Sequence, residues 1–218
     1  MKKVTNQAMT ELIATLRALA PKRPLTYGES LQVARVQASR LRQWADATEP
    51  DMNLIWLVEQ TAVPVHFVAS YKLDEQSGLT TNGVEGRLRM FINQSEPAVR
   101  QRFTLLHEFK HVLDFDDDEV LHAKLGRGNQ KLKKDMIEWI ANEFSACGLM
   151  PIARVKREWC AWRDLPTVAN IFNVSVEAMA NRLERLGLIE TNKPKPRVYF
   201  RRPGLTLATD TSDLLMAA

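Results

Sequence analysis

Cysteine, histidine and long apolar runs are all scarce in this chain of 218 residues. Its only cysteines are Cys147 and Cys160, so a disulfide framework is not a plausible source of stability, and without CxxC spacing they make a poor zinc site. No apolar run approaches the roughly 18–20 residues that a membrane-spanning helix needs. Behind the basic Met1-Lys2-Lys3, Glu11 and Arg17 interrupt the apolar segment, which argues against a secretory leader. The expected location is cytoplasmic, with no membrane partner. Charge of one sign is lacking too: 30 Lys and Arg against 26 Asp and Glu leave +4, weak support for a nucleic-acid partner. The rest is ordinary, with 45% hydrophobic and 26% charged residues, and it excludes disorder of the whole chain.

Apolar spacing predicts helices over residues 9–19 and 28–44, separated by Pro21 and Pro24, and a short one over 54–58. The period then changes. Residues 63–70 and 86–93 carry Val, Phe and Ile with partial alternation, and Ser77-Gly78 and Asn82-Gly83 between them are turn signals. A small antiparallel sheet is expected there. Helix resumes after Pro97 to about residue 115, and a charged stretch leads into a Gly- and Lys-rich loop at 126–134. A further helix runs over 135–150 and stops at Pro151. Residues 166–172 and 176–186, joined by Asn173-Val174-Ser175, have helix-turn-helix proportions, with Ser175 as N-cap and Gly187 as stop. The fold class is therefore α+β and mostly helical, in three regions: an N-terminal helical segment 1–50, a central domain 51–190 that includes the helix-turn-helix-like helices 166–188, and a basic C-terminal tail 191–218 with a short strand.

Two of the four histidines carry the chemistry. His107-Glu108-Phe109-Lys110-His111 is an HExxH motif inside the most periodic helical segment. Residues four apart lie about 40° apart around an α-helix, so both imidazoles reach one ion from one face. Glu108 falls at about 100° on the same wheel, beside that face, where a carboxylate can take a proton from a metal-activated water without ligating the metal. Leu105, Leu106, Phe109, Val112 and Leu113 form the apolar back.

Catalytic zinc usually takes three protein ligands. The best third candidate is Glu138, on the next strong helix, where Ala141, Asn142 and Ser145 make a small face that lets the two helices approach closely. Asn142, one turn on, is placed to hydrogen-bond the outer nitrogen of a ligand histidine. Asp114 falls at about −20° on the first wheel and is an alternative third ligand or a partner behind the ligands. His122 and Glu119 are further alternatives, though their acidic stretch points to exposure. His66 is assigned to structure.

These residues resemble the ImmA/IrrE family of metallo-endopeptidases. The likeness is carried by residues 100–111, ending in the HExxH, by Glu138-x-x-Ala141-Asn142-x-Phe144-Ser145-Ala146 and by Leu149-Met150-Pro151. Ile92-Asn93, Phe172-Asn173-Val174-Ser175, Arg182-Leu183 and Leu186-Gly187-Leu188 extend it over about residues 50–190. Lys110 stands where family members commonly carry Gly. The resemblance implies a zincin-like, gluzincin-type site with zinc on His107, His111 and Glu138 and Glu108 as general base. It also implies a helix-turn-helix repressor, encoded nearby, as protein substrate. Residues 86–93 are expected to offer an edge to an extended substrate, and Tyr71 is the only candidate offered for the oxyanion. The alternative is a non-cleaving regulator that binds DNA or a repressor through residues 166–188 and the basic residues 193–202.

Overall fold

The structure, a computed structural model, describes residues 4–83 and 86–190. The expected short strand in the basic tail lies outside the described residues. In chain order the elements are α1 (Asn6–Arg17), α2 (Tyr27–Trp44), α3 (Ile55–Glu59), β1 (Val65–Val68), β2 (Gly78–Asn82), β3 (Leu88–Asn93), α4 (Ala98–Asp114), α5 (Asp118–Leu121), α6 (Gln130–Leu149), α7 (Ile152–Trp162), α8 (Leu165–Ile171) and α9 (Val176–Arg185). The fold is α+β, mostly helical with one small sheet.

Helix starts follow their capping residues. Thr26 and Glu29 form a reciprocal capping box at α2. The Asn129 side chain accepts from the Leu132 amide and starts α6 within what the sequence suggested was a loop. Ser175 accepts from the Ala178 amide at α9, and Gly187 leaves that helix at φ +67°.

The sheet differs from expectation in two ways. The segment between the two expected strands is itself a strand, β2, and the order is β1-β3-β2. β1 pairs with β3 in parallel, while β2 pairs with β3 antiparallel, so the sheet is mixed. β3 is therefore central and offers no edge. The free edge beside α4 belongs to β2, since neither the sheet order nor the described pairings give it a second neighbour. Sequence reasoning took Ser77-Gly78 and Asn82-Gly83 as a turn-rich connection because Gly78-Leu79-Thr80-Thr81-Asn82 has little apolar content to bury.

One core joins the helices. Met9, Leu12 and Leu16 from α1 and Ala34, Ala38 and Leu41 from α2 are buried with Leu106, Phe109 and Val112 of α4 and Phe144 of α6. Residues 1–50 thus contribute α1 and α2 to the same core as the helix that carries Glu138. Close approach of α4 and α6 needs small residues: a Cβ on Gly148 would sit 2.9 Å from Leu106 Cδ1.

Candidate metal centre

α4 turns the HExxH toward a cleft of about 1000 Å³. Its apolar back, with Leu106, Phe109 and Val112 fully buried, fixes the rotation of the helix, and the imidazoles of His107 and His111 then emerge on one side. Glu138 arrives from the third turn of α6. The Nε2 atoms of the two histidines lie 3.1 Å apart, Glu138 Oε2 is 3.0 Å from His107 Nε2, and Glu138 Oε1 is 3.5 Å from His111 Nε2. Tetrahedral ligands about 2.0–2.1 Å from a zinc ion stand roughly 3.3 Å from one another, so these separations fit a divalent cation. Among the described residues, His107, His111 and Glu138 are the group of three or more His, Cys, Asp or Glu side chains with that capacity.

The surroundings orient the donors. His107 Nδ1 donates to Asn142 Oδ1 at 3.0 Å, which directs the Nε2 edge toward Glu138. Burial works against a proton on His107, but the Glu138 hydrogen bond, the nearby carboxylates and Asn142 together outweigh it and raise the ring above its ordinary range. His111 goes the other way: burial and the neighbouring His107 charge push it down to about 4. These opposite directions favour a proton on His107 over one on His111, facing the Glu138 carboxylate that this same hydrogen bond holds below its usual range. A metal must displace that proton. Zinc affinity is accordingly expected to fall as the pH drops through the His107 range, by about tenfold per pH unit for one proton displaced. Competition with a chromophoric chelator between about pH 6 and 8 measures this, and a flat profile would contradict it.

Glu108 stands beside the cluster, 5% exposed. The Thr80 hydroxyl of β2 donates to Glu108 Oε2 at 2.7 Å. Burial raises the carboxyl above its usual range, while Thr80 and the His107 charge pull it back. Sequence reasoning missed two residues here, Gly78 and Thr80. At Gly78 a Cβ would lie 2.5 Å from Thr104 Cγ2 and 2.9 Å from Glu108 Oε1. A residue with a side chain at 78 would therefore displace the carboxylate. Gly78→Val is expected to retain metal but to lower any peptidase activity on the order of 10²-fold, since displacing a reacting group by about 1 Å costs that much. Unchanged kcat would show that Glu108 tolerates the shift.

Other expected positions fall elsewhere. Asp114 is buried and pairs with Lys110, its Oδ2 lying 3.6 Å from His122 Nε2, while its charge also bears on His111. Lys110, 2% exposed, requires that carboxylate as its counter-charge. His122, expected to be exposed, is 2% exposed and donates from Nδ1 to Asp118 Oδ1 at 2.6 Å, because α5 and the 3₁₀ turn before it fold the acidic stretch back onto α4. Glu119 points outward. His66 stacks on Phe91 across the sheet, with ring centroids 5.2 Å apart. Tyr71 is 73% exposed and does not line the cleft.

The far wall of the cleft is α9, the second helix of the expected helix-turn-helix. Its basic residues are engaged internally. Arg182, 3% exposed, donates to the Met150 carbonyl and to Cys147 Sγ, and Arg185 lies 3.2 Å from Glu143.

An HExxH helix backed by a carboxylate-bearing helix, with an edge strand beside the motif's glutamate, defines a metallopeptidase-like α+β domain. The chain belongs to the peptidase M78 family, described as the IrrE N-terminal-like domain, whose profile matches residues 65–184. No curated protein matches it. Among solved structures it is similar to a Mycobacterium tuberculosis transcriptional regulator, at 14% identity and a TM-score of 0.47, over 82% of this chain and 48% of that one. The chain thus spans about half the length of that regulator. No helix among the described residues is long and apolar enough to cross a membrane.

Proposed function

We propose that the chain is a zinc-dependent endopeptidase, acting in the cytoplasm, that cuts a helix-turn-helix transcriptional repressor encoded nearby and so relieves repression in a mobile element or stress response. The observation that carries this reading is the buried Glu108 carboxylate standing beside a His107–His111–Glu138 donor set in an open cleft. When bound to those three residues, zinc would supply an acidified water and polarise the scissile carbonyl. Glu108 then holds the water proton and passes it to the leaving amine nitrogen. Thr80 keeps that carboxylate pointed by its hydroxyl, and Asn142 keeps His107 in the tautomer a ligand needs. The outer edge of β2, which has no second strand beside it among the described residues, is suited to receive an extended substrate segment as an added strand. The repressor substrate rests on the family resemblance alone.

Incubation of the zinc-loaded protein with the helix-turn-helix regulator encoded beside its gene, read by mass spectrometry, tests the proposal. The expected result is one defined internal cut. An intact regulator under inducing and non-inducing conditions would sink it. Glu138→Ala is expected to weaken zinc binding on the order of 10²-fold or more, above the usual cost of losing a residue behind the ligands, and metal analysis after dialysis measures it. Unchanged affinity would remove Glu138 from the ligand set.

Direct DNA binding is the poorer reading, since Arg182 and Arg185 of the second helix are held by protein partners; the basic residues 193–202 on which it also rests lie outside the described residues.

A further inference from the structure

A second hollow, of about 640 Å³, opens between α2, the loop after it, and the start of α7. Four arginines line it, Arg35 and Arg42 from α2, Arg154 from α7 and Arg182 from α9, against a single lining acid, Asp46. Their charges are unevenly answered. Arg35 and Arg182 share the Glu143 carboxylate with Arg185, at 2.7, 3.7 and 3.2 Å respectively. Arg42 and Arg154 form no ion pair with a described carboxylate and donate instead to backbone carbonyls, Arg42 to those of Gly148, Ala47 and Glu49 and Arg154 to that of Thr48.

Arg42 is 8% exposed. Burial and the charge of Arg154 depress its guanidinium below the usual range, with only a partial offset from Asp51. Its hydrogen bonds go to neutral carbonyls, so the positive charge itself is answered by no paired carboxylate, and a buried charge without a counter-charge is costly. The same hollow meets the start of α7. Pro151 caps that helix without a side-chain acceptor, its first turn holds no acid, and Pro151 and Ile152 line the space. Arg42 and Arg182 already spend their donors on protein acceptors, whereas Arg35 is bonded through Nε alone and Arg154 through Nη2 alone, so their remaining N–H groups and the amides of a helix start are the kinds of donor that bind a tetrahedral dianion. Ala47, Pro151 and Ile152 add an apolar flank, and the volume lies within the range of small-ligand sites.

We propose that this hollow binds a phosphate group, free or carried as the monoester of a small molecule. The hollow shares Arg182 with the wall of the cleft but includes none of His107, His111 and Glu138, and the proposal stands whether or not the chain cuts peptides.

The test is thermal unfolding and calorimetry of the full zinc-loaded chain with inorganic phosphate and, separately, adenosine 5′-monophosphate, at ionic strength held constant with chloride. A saturable rise in Tm with one-to-one binding is expected. Arg154→Gln, and Ile152→Asp, which places a carboxylate where the anion would sit, should each weaken binding at least tenfold. His107→Ala, or removal of zinc by chelation, should leave binding intact. Tighter binding of the monophosphate supports an ester-borne group, and equal binding supports free phosphate. Absence of saturable binding, undiminished affinity in both hollow variants, or loss of binding with the metal would each overturn the site.

Discussion

Glu108→Gln is expected to leave metal affinity unchanged and to slow the proposed peptide cleavage about 10²–10⁴-fold, the usual contribution of a positioned general base. The amide keeps the shape of the side chain and still accepts the Thr80 hydroxyl, so the fold and the His107–His111–Glu138 cluster should be undisturbed. What it loses is the lone pair that takes the proton. The pH profile separates this from a loss of binding. Burial sets the Glu108 carboxyl above its ordinary range, so wild-type kcat should rise with pH as that group ionises. In the variant the limb due to Glu108 disappears. Cleavage at the wild-type rate by Glu108→Gln would end the general-base assignment.

Phe109→Ala is expected to cost about 3–5 kcal/mol, the usual range for a buried Phe truncated to Ala. Phe109 lies on the back of the HExxH helix, fully buried, and its ring centroid is 6.4 Å from that of Phe144 on α6. Truncation opens a cavity between the helix that bears both histidines and the helix that bears Glu138. For a chain of this size Tm should fall by roughly 6–20 °C, and metal affinity should fall with it because the two halves of the donor set lose their common support. A Tm change under a few degrees, measured by calorimetry, would mean that the neighbouring helices collapse into the space.

Much of this arrangement was legible in the sequence because α-helical period carries its own geometry. The 107/111 spacing, the apolar back of α4 and the small face around Ala141 and Ser145 all follow from residues 3.6 to a turn. Local signals ran out elsewhere. α7 was not foreseen: Val155 and Trp159, four apart, are its only buried residues, and Arg154, Lys156, Arg157 and Glu158 obscure the stripe. β2 was read as turns because its residues pair with β3 without filling the core, and the parallel β1–β3 pairing depends on a crossover that no local pattern reports. Asp114 shares the His face on a wheel, yet charge decided its fate: a buried Lys110 one turn earlier claims it. Gly78 shows the same limit, since its significance lies 30 residues away, in the space that Glu108 needs.

The hydroxyl that β2 donates to Glu108 joins two events otherwise treated apart. A strand with one neighbour frays more readily than a central one, and β2 is such a strand among the described residues. A peptide laid along it supplies the missing ladder and stills Thr80, and with it the carboxylate. Cargo would then tune its own cutter: loosely held sequences would meet a base that wanders, and well-registered ones a base already aimed. Selectivity on such a surface is expressed in turnover as much as in affinity, so weak binders that do engage would be spared.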